Sequence, residues 1–165
     1  MQNLCCRNVL NVKFPKIVAE KFAFYKYCTD EMFGTVDNRI ILGFEDDAAF
    51  QSLGPDWRMP TYAEMGELKD ACTWTWGKGG ETYGYTVTGP NGASIFLPAA
   101  GCYYGTDYPN AGEAGYYWTN TLFPYDSETA WALMFYPAGD YDIMDTYRDD
   151  GRSIRPVRNL GGSDR

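Results

Sequence analysis

The sequence predicts an α+β domain with two short helices and a small, loop-rich antiparallel sheet, and three observations carry that expectation. Thr61 and Glu64 stand three apart, ahead of apolar positions at helical spacing. An Asn91-Gly92 step separates two β-prone runs. Three further apolar runs fill the last third of the chain, divided by stretches rich in Gly, Asp and Pro.

Residues 9–27 mix apolar and basic side chains without a clean period, and Pro15 interrupts any helix through them, so extended structure is expected there. In EDDAAFQS (45–52) acidic residues precede Ala48, Ala49 and Phe50, as the positive end of a short helix favours, and Gly54-Pro55 stops it. The second helix follows Pro60: Thr61 can accept from the free amides of the first turn while Glu64 reaches back to form a capping box. Met65, Leu68 and Cys72 then share one face, and the helix should end near Ala71.

YGYTVTG (83–89) and ASIFLPA (93–99) are expected to pair as a hairpin across Pro90-Asn91-Gly92. GYYWTNT (115–121), TAWALMFY (129–136) and RSIRPV (152–157) should share one sheet. The connections 101–114 and 137–150 read as long loops, which in a small domain tend to carry function. Trp57, Trp74, Trp118, Trp131, Phe96 and Phe135 are assigned to the core. Arg155, between Ile154 and Pro156, is assigned to a buried carboxylate or carbonyl.

The chain has 165 residues, with 14 Lys and Arg against 22 Asp and Glu, and a net charge of −8. That is one domain's length. Acidic balance repels phosphate backbones, so nucleic acid is not an expected partner. No apolar run reaches the roughly eighteen residues of a membrane span. The chain has no His, and so lacks the commonest general base and zinc ligand; enzyme function is not expected. Cys5, Cys6, Cys28, Cys72 and Cys102 follow no zinc-like spacing, and buried free thiols are expected, with a Cys72–Cys102 disulfide the alternative in an oxidising compartment. Residues 1–13 show no signal-peptide pattern.

The motifs KYCTDEMFG, DWRMPTYAEMGEL, CTWTW, GYTVTGPNGASIFLPAAG, GYYWTNT and GRSIRPVR, in that order, resemble the Fibrobacter succinogenes major paralogous domain of Bacteroidetes proteins. The resemblance runs from Tyr27 to Arg158 and is most specific at Trp57-Arg58-Met59-Pro60-Thr61, at 94–101 and at 153–157. It implies a C-type-lectin-like fold related to formylglycine-generating enzymes, with 1–26 an extension, 27–160 the domain and 161–165 a tail. The copper-binding cysteine pair of those enzymes has no counterpart, since no cysteine follows Cys102. The calcium and sugar motifs of C-type lectins are missing or, at Trp118-Thr119-Asn120, half present. Asp149-Asp150 with Asp140, Asp142 and Asp145 offer oxygen ligands of the kind calcium takes, but solvated acidic loops account for them, and no cofactor is expected.

Lys, Glu and Gln total sixteen in residues 1–128 and none in 129–165, where Tyr and Asp crowd 136–150. This is similar to the variable proteins of diversity-generating retroelements, which share the C-type-lectin-like fold and vary a C-terminal binding surface by adenine-directed mutagenesis. Substituting the adenines of an Asn AAC codon reaches Tyr, Asp, Ser, Thr and Ile but not Lys, Glu or Gln; Met144 would be a fixed position. Tyr supplies large rigid contact area at low entropic cost, and Asp and Asn add hydrogen bonds. The expected ligand-binding residues are Tyr116, Asn120, Tyr136, Asp140, Tyr141, Asp142, Asp145, Tyr147, Asp149 and Asp150. The expected partner is a protein or glycan on a cell surface, bound by an adhesin or phage receptor-binding domain at a cell surface or on a virion. Oligomerisation is left open. A structural surface module without a ligand pocket is the alternative, and a divergent metal-dependent enzyme a third reading.

Overall fold

The computed structural model describes residues 10–13, 18–19 and 23–159, with side chains from Phe24 onward. Pro15, Cys5, Cys6 and the tail expected at 161–165 lie outside the described residues. In chain order the elements are β1 (Leu10–Lys13), β2 (Val18–Ala19), β3 (Ala23–Phe24), α1 (Ala48–Leu53), β4 (Trp57–Arg58), α2 (Tyr62–Ala71) and β5 (Thr73–Gly79). They continue with β6 (Thr82–Thr88), β7 (Ser94–Pro98), β8 (Gly115–Leu122), β9 (Thr129–Phe135), β10 (Tyr141–Tyr147), β11 (Gly151–Ile154) and β12 (Val157–Arg158). The result is a small α+β domain with two helices and mostly antiparallel sheets. None of its described helices is long and apolar enough to cross a membrane.

The second helix starts at the cap the sequence places, and the first starts directly after its acidic run. Asp47 accepts from the amides of Ala49 at 2.9 Å and Phe50 at 3.0 Å, satisfying donors that the first turn leaves free. Its other oxygen accepts from Met59 N at 2.9 Å, tying α1 to the strand-like segment after β4. At α2, Thr61 Oγ1 accepts from Glu64 N at 3.1 Å and Glu64 Oε2 from Thr61 N at 2.9 Å, the reciprocal box. Met65 and Leu68 are buried, and Cys72, just past the helix end, is half-buried.

Glu64 also meets Arg58 of β4 at 2.5 Å. Burial pushes its carboxyl up, but Arg58 and the Thr61 amide outweigh burial and hold it below its usual range. A carboxyl depressed in the folded state adds stability that is complete above the unfolded carboxylate range and is lost as pH falls through the folded value. Thermal midpoints measured down an acid series should therefore fall more steeply for the parent chain than for Glu64→Gln. Parallel acid limbs would remove this pair from the acid response.

Five strands form the main sheet in the order β1-β11-β8-β9-β10, antiparallel except for β11 beside β8. Alternation sends Tyr117, Leu133, Phe135 and Ile143 to one face, where they pack with Met65 and Leu68 of α2 and with Tyr85, Val87, Ile95 and Leu97. Those last four belong to the second sheet, β5-β6-β7. The opposite face buries Trp118, Ala130, Ala132 and Ile154 against Tyr27, Leu42, Ala49 and Met59. β8 is thus covered on both sides, and its burial runs nearly unbroken along the strand. Gly84 lets β6 and β7 approach closely, since a Cβ there would sit 2.2 Å from Leu97 O.

The hairpin across Asn91-Gly92 and the shared sheet of the three late runs form as expected. Two segments differ. Residues 73–79, which the apolar pattern left unassigned, form β5 in register with β6. The supposed loop 137–150 contains β10, paired along its whole length with β9. Its inward positions Tyr141 and Ile143 find the core, while Asp142, Met144 and Asp145 face water, as an edge strand permits.

Trp118 and Phe135 are fully buried, whereas Trp57, Trp74, Trp131 and Phe96 are only half-buried. Arg155 is buried and donates to the Phe96 carbonyl at 3.4 Å. Cys28, Cys72 and Cys102 are free thiols, so no Cys72–Cys102 bridge forms.

Candidate functional site

At the end of β9, Tyr136 leaves the sheet into a tight turn, Pro137–Gly139. The Tyr85 hydroxyl holds this turn from beneath, donating to Tyr136 O at 3.0 Å and accepting from Gly139 N at 2.8 Å. Ala138 takes a positive φ of 74°, a conformation that costs a residue with a Cβ about 1 kcal/mol and that the surrounding bonds enforce. Tyr136 is thereby presented 39% exposed.

Beneath it lies Tyr116 of β8, 2% exposed, its ring edge-on to Tyr136 with centroids 6.1 Å apart. The two hydroxyls are 3.1 Å apart, and Tyr116 also accepts from Asn110 Nδ2 at 3.0 Å. Burial first, and the Tyr136 hydroxyl second, push the Tyr116 phenol well up, so it stays neutral and serves as a fixed hydrogen-bonding base for the rim.

The loop 101–114 adds three more tyrosines. Gly101 opens it at φ +66°, where a Cβ would lie 2.4 Å from Pro109 O. Tyr103 exchanges backbone bonds with Gly151 at 2.7 and 2.8 Å, which anchors the loop to β11. Its ring stacks on Tyr108, centroids 4.4 Å apart, and the Tyr108 hydroxyl donates to Ala100 O. Tyr104 closes a turn with Asp107 through a pair of backbone bonds. Burial raises the Cys102 thiol, which therefore remains protonated and packs with Ala114, Tyr116 and Met134. Tyr103, Tyr104 and Tyr108 are all exposed.

The floor is ionic. Arg152 of β11 is 1% exposed and donates to Asp150 Oδ2 at 2.8 Å and to the Thr146 hydroxyl. Its guanidinium lies 5.0 Å from the Tyr116 ring centroid and 5.1 Å from that of Trp118, a cation held between π-faces. Burial holds the Asp150 carboxyl above its usual range despite the neighbouring Arg152.

The expected site residues divide accordingly. Tyr136 and Asp140 stand on the rim, with Asp140 closing the turn by accepting from Tyr136 N at 2.8 Å. Tyr116 and Asp150 lie under it as supports and are not free to touch a ligand directly. Tyr141 turns inward to stack on Trp74, centroids 4.5 Å apart. Asn120 is buried far along β8, its amide donating to Pro60 O at 2.8 Å, its carbonyl accepting from Leu42 N at 2.9 Å and its Oδ1 accepting from Thr121 Oγ1 at 3.0 Å. Asp142 is held by Lys69 at 3.0 Å, which keeps its carboxyl below the usual range. Asp145 and Tyr147 are exposed on β10, and Asp149 in the turn before β11. Among the described residues no three Cys, Asp or Glu side chains converge as a metal cage would require. Tyr103, Tyr104, Tyr108 and Arg152 were missed by sequence reasoning; the signal was three tyrosines within a Gly-, Asp- and Pro-rich loop.

No family model matches the chain, and no curated protein or solved structure matches it. Geometry is therefore the ground for function. Exposed rings fixed by stacking and hydrogen bonds offer broad, amphipathic, pre-ordered contact area.

Proposed function

We propose that this chain is a ligand-binding domain of C-type-lectin-like type, acting as an adhesin or phage receptor-binding module on a protein or glycan of a cell surface. The observation that carries the reading is exposed Tyr136 held above buried Tyr116 and Arg152, with the loop that carries exposed Tyr103, Tyr104 and Tyr108 joined to the same Tyr116 through Asn110 and Cys102. Support also comes from the closing residues 129–165, whose lack of Lys, Glu and Gln fits a surface diversified through adenine positions.

The test is a binding screen of the parent chain against glycan arrays and displayed cell-surface proteins, repeated with Tyr103→Ala and Tyr136→Ala. Central aromatic anchors cost about 2 kcal/mol or more on truncation, so each hit should weaken by roughly thirtyfold. Hits that keep their affinity in both variants would remove the tyrosine surface from the function.

A further inference from the structure

The outer edge of the main sheet offers a second surface, distinct from the tyrosines and not dependent on that reading. β10 is the last strand of the sheet, and among the described residues nothing pairs with its outer side. Two bonds fix which of its backbone groups point outward: Arg148 N donates to Glu128 O at 2.9 Å and Tyr136 N to Asp140 O at 2.8 Å. In an antiparallel ladder the direction alternates, so the even-numbered residues of β10 face β9 and Tyr141, Ile143, Asp145 and Tyr147 face away. Consistently, Ile143 N is taken by the side chain of Asp142 at 2.8 Å rather than by the ladder. Tyr147 O accepts from Asp150 N at 3.3 Å. That leaves both backbone groups of Tyr141 and of Asp145, the Ile143 carbonyl and the Tyr147 amide directed at the open edge.

The strand's own side chains carry charge of one sign. Asp140, Asp142 and Asp145 line the edge, and residues 129–147 contain no Lys or Arg. Lys69 reaches in from α2, but to Asp142. A second copy pairing antiparallel about Asp145 would set carboxylate against carboxylate, which opposes self-association. An extended segment with a basic side chain opposite Asp145 meets no such repulsion. On the other face Met144, 51% exposed, offers apolar contact to the flanking positions.

We propose that the outer edge of β10 takes up an extended basic peptide by strand addition centred on Asp145, the partner alternating basic and apolar residues. Two labelled peptides about as long as β10 test this, one alternating Lys and Val, the other Glu and Val, followed by fluorescence anisotropy and amide NMR shifts. The basic peptide should bind saturably, shift the Asp145 and Tyr147 amides and weaken with salt, while the acidic one should not bind.

Asp145→Pro removes an outward amide without breaking a bond to β9, and should weaken the basic peptide about tenfold or more. Asp145→Lys, which leaves the backbone intact, should reverse the peptide preference. Tyr103→Ala and Tyr136→Ala should leave peptide binding unchanged, which separates this proposal from the tyrosine surface. Failure of both peptides to bind, binding indifferent to Asp145→Pro and Asp145→Lys, or concentration-dependent dimerisation through this edge would overturn it.

Discussion

Replacing Arg152 by alanine is expected to destabilise the fold by about 3–5 kcal/mol, the range for breaking a buried ion pair from one side. The guanidinium is 1% exposed, bonds Asp150 and the Thr146 hydroxyl, and fills the space between the Tyr116 and Trp118 rings. Its loss strands a carboxylate and opens a void together. Urea unfolding at neutral pH measures the loss, and a change below about 1 kcal/mol would show that the pair is dispensable.

Asp150 gives a second signature. Burial already holds its carboxyl above the usual range, and without the cation the folded state prefers the protonated form still more. A folded pKa above the unfolded one means stability is lost as pH rises through that window, so the alanine variant should recover part of its deficit in mildly acidic buffer. Arg152→Lys keeps charge but not the planar fork and should fall between the two.

The second large effect is expected at Asp47, which is 3% exposed. Asp47→Ala removes the acceptors for Ala49 N, Phe50 N and Met59 N at once. A lost helix cap costs about 1 kcal/mol and a stranded buried amide about 1–3 kcal/mol, so about 2–4 kcal/mol in sum. Asp47→Asn retains one acceptor oxygen and should restore about half by the same unfolding measurement. Equal losses in the two variants would place the effect in charge rather than in hydrogen bonding.

Much of the frame was legible because its signals are local. Thr61 and Glu64 cap through neighbouring backbone, Asn91-Gly92 turns the chain within the hairpin, and β8 and β9 are apolar enough to be seen alone. β10 was not, because only Tyr141 and Ile143 turn inward and its three Asp and Met residues face water; the sequence of an edge strand looks like that of a loop. β5 carries a legible Trp74/Trp76 alternation, but Gly77 and Gly79 weaken it, and its order comes from pairing with β6.

The site was half legible. Tyr136 stands where composition placed it, whereas Tyr116, Asn120 and Asp150 are buried by strand partners that no local pattern reveals. The tyrosines of 101–114 join them through the Tyr103–Gly151 pairing, a contact between distant parts of the chain.

The place of β11 in the sheet has a bearing on how the molecule is made. β8, β9 and β10 are consecutive and can zip up as a meander once residue 147 is available, but β11 closes the other side of β8 and is built from residues 151–154. During synthesis the Tyr-Tyr-Trp run of β8 therefore waits with one edge unpaired until residues 151–154 have left the ribosome. Non-local closure of this kind slows folding, and an unpaired apolar edge is the form most open to misassociation. Chains interrupted before Gly151 should accordingly be clients for chaperones rather than folded fragments, and the domain closes only when β11 has been made.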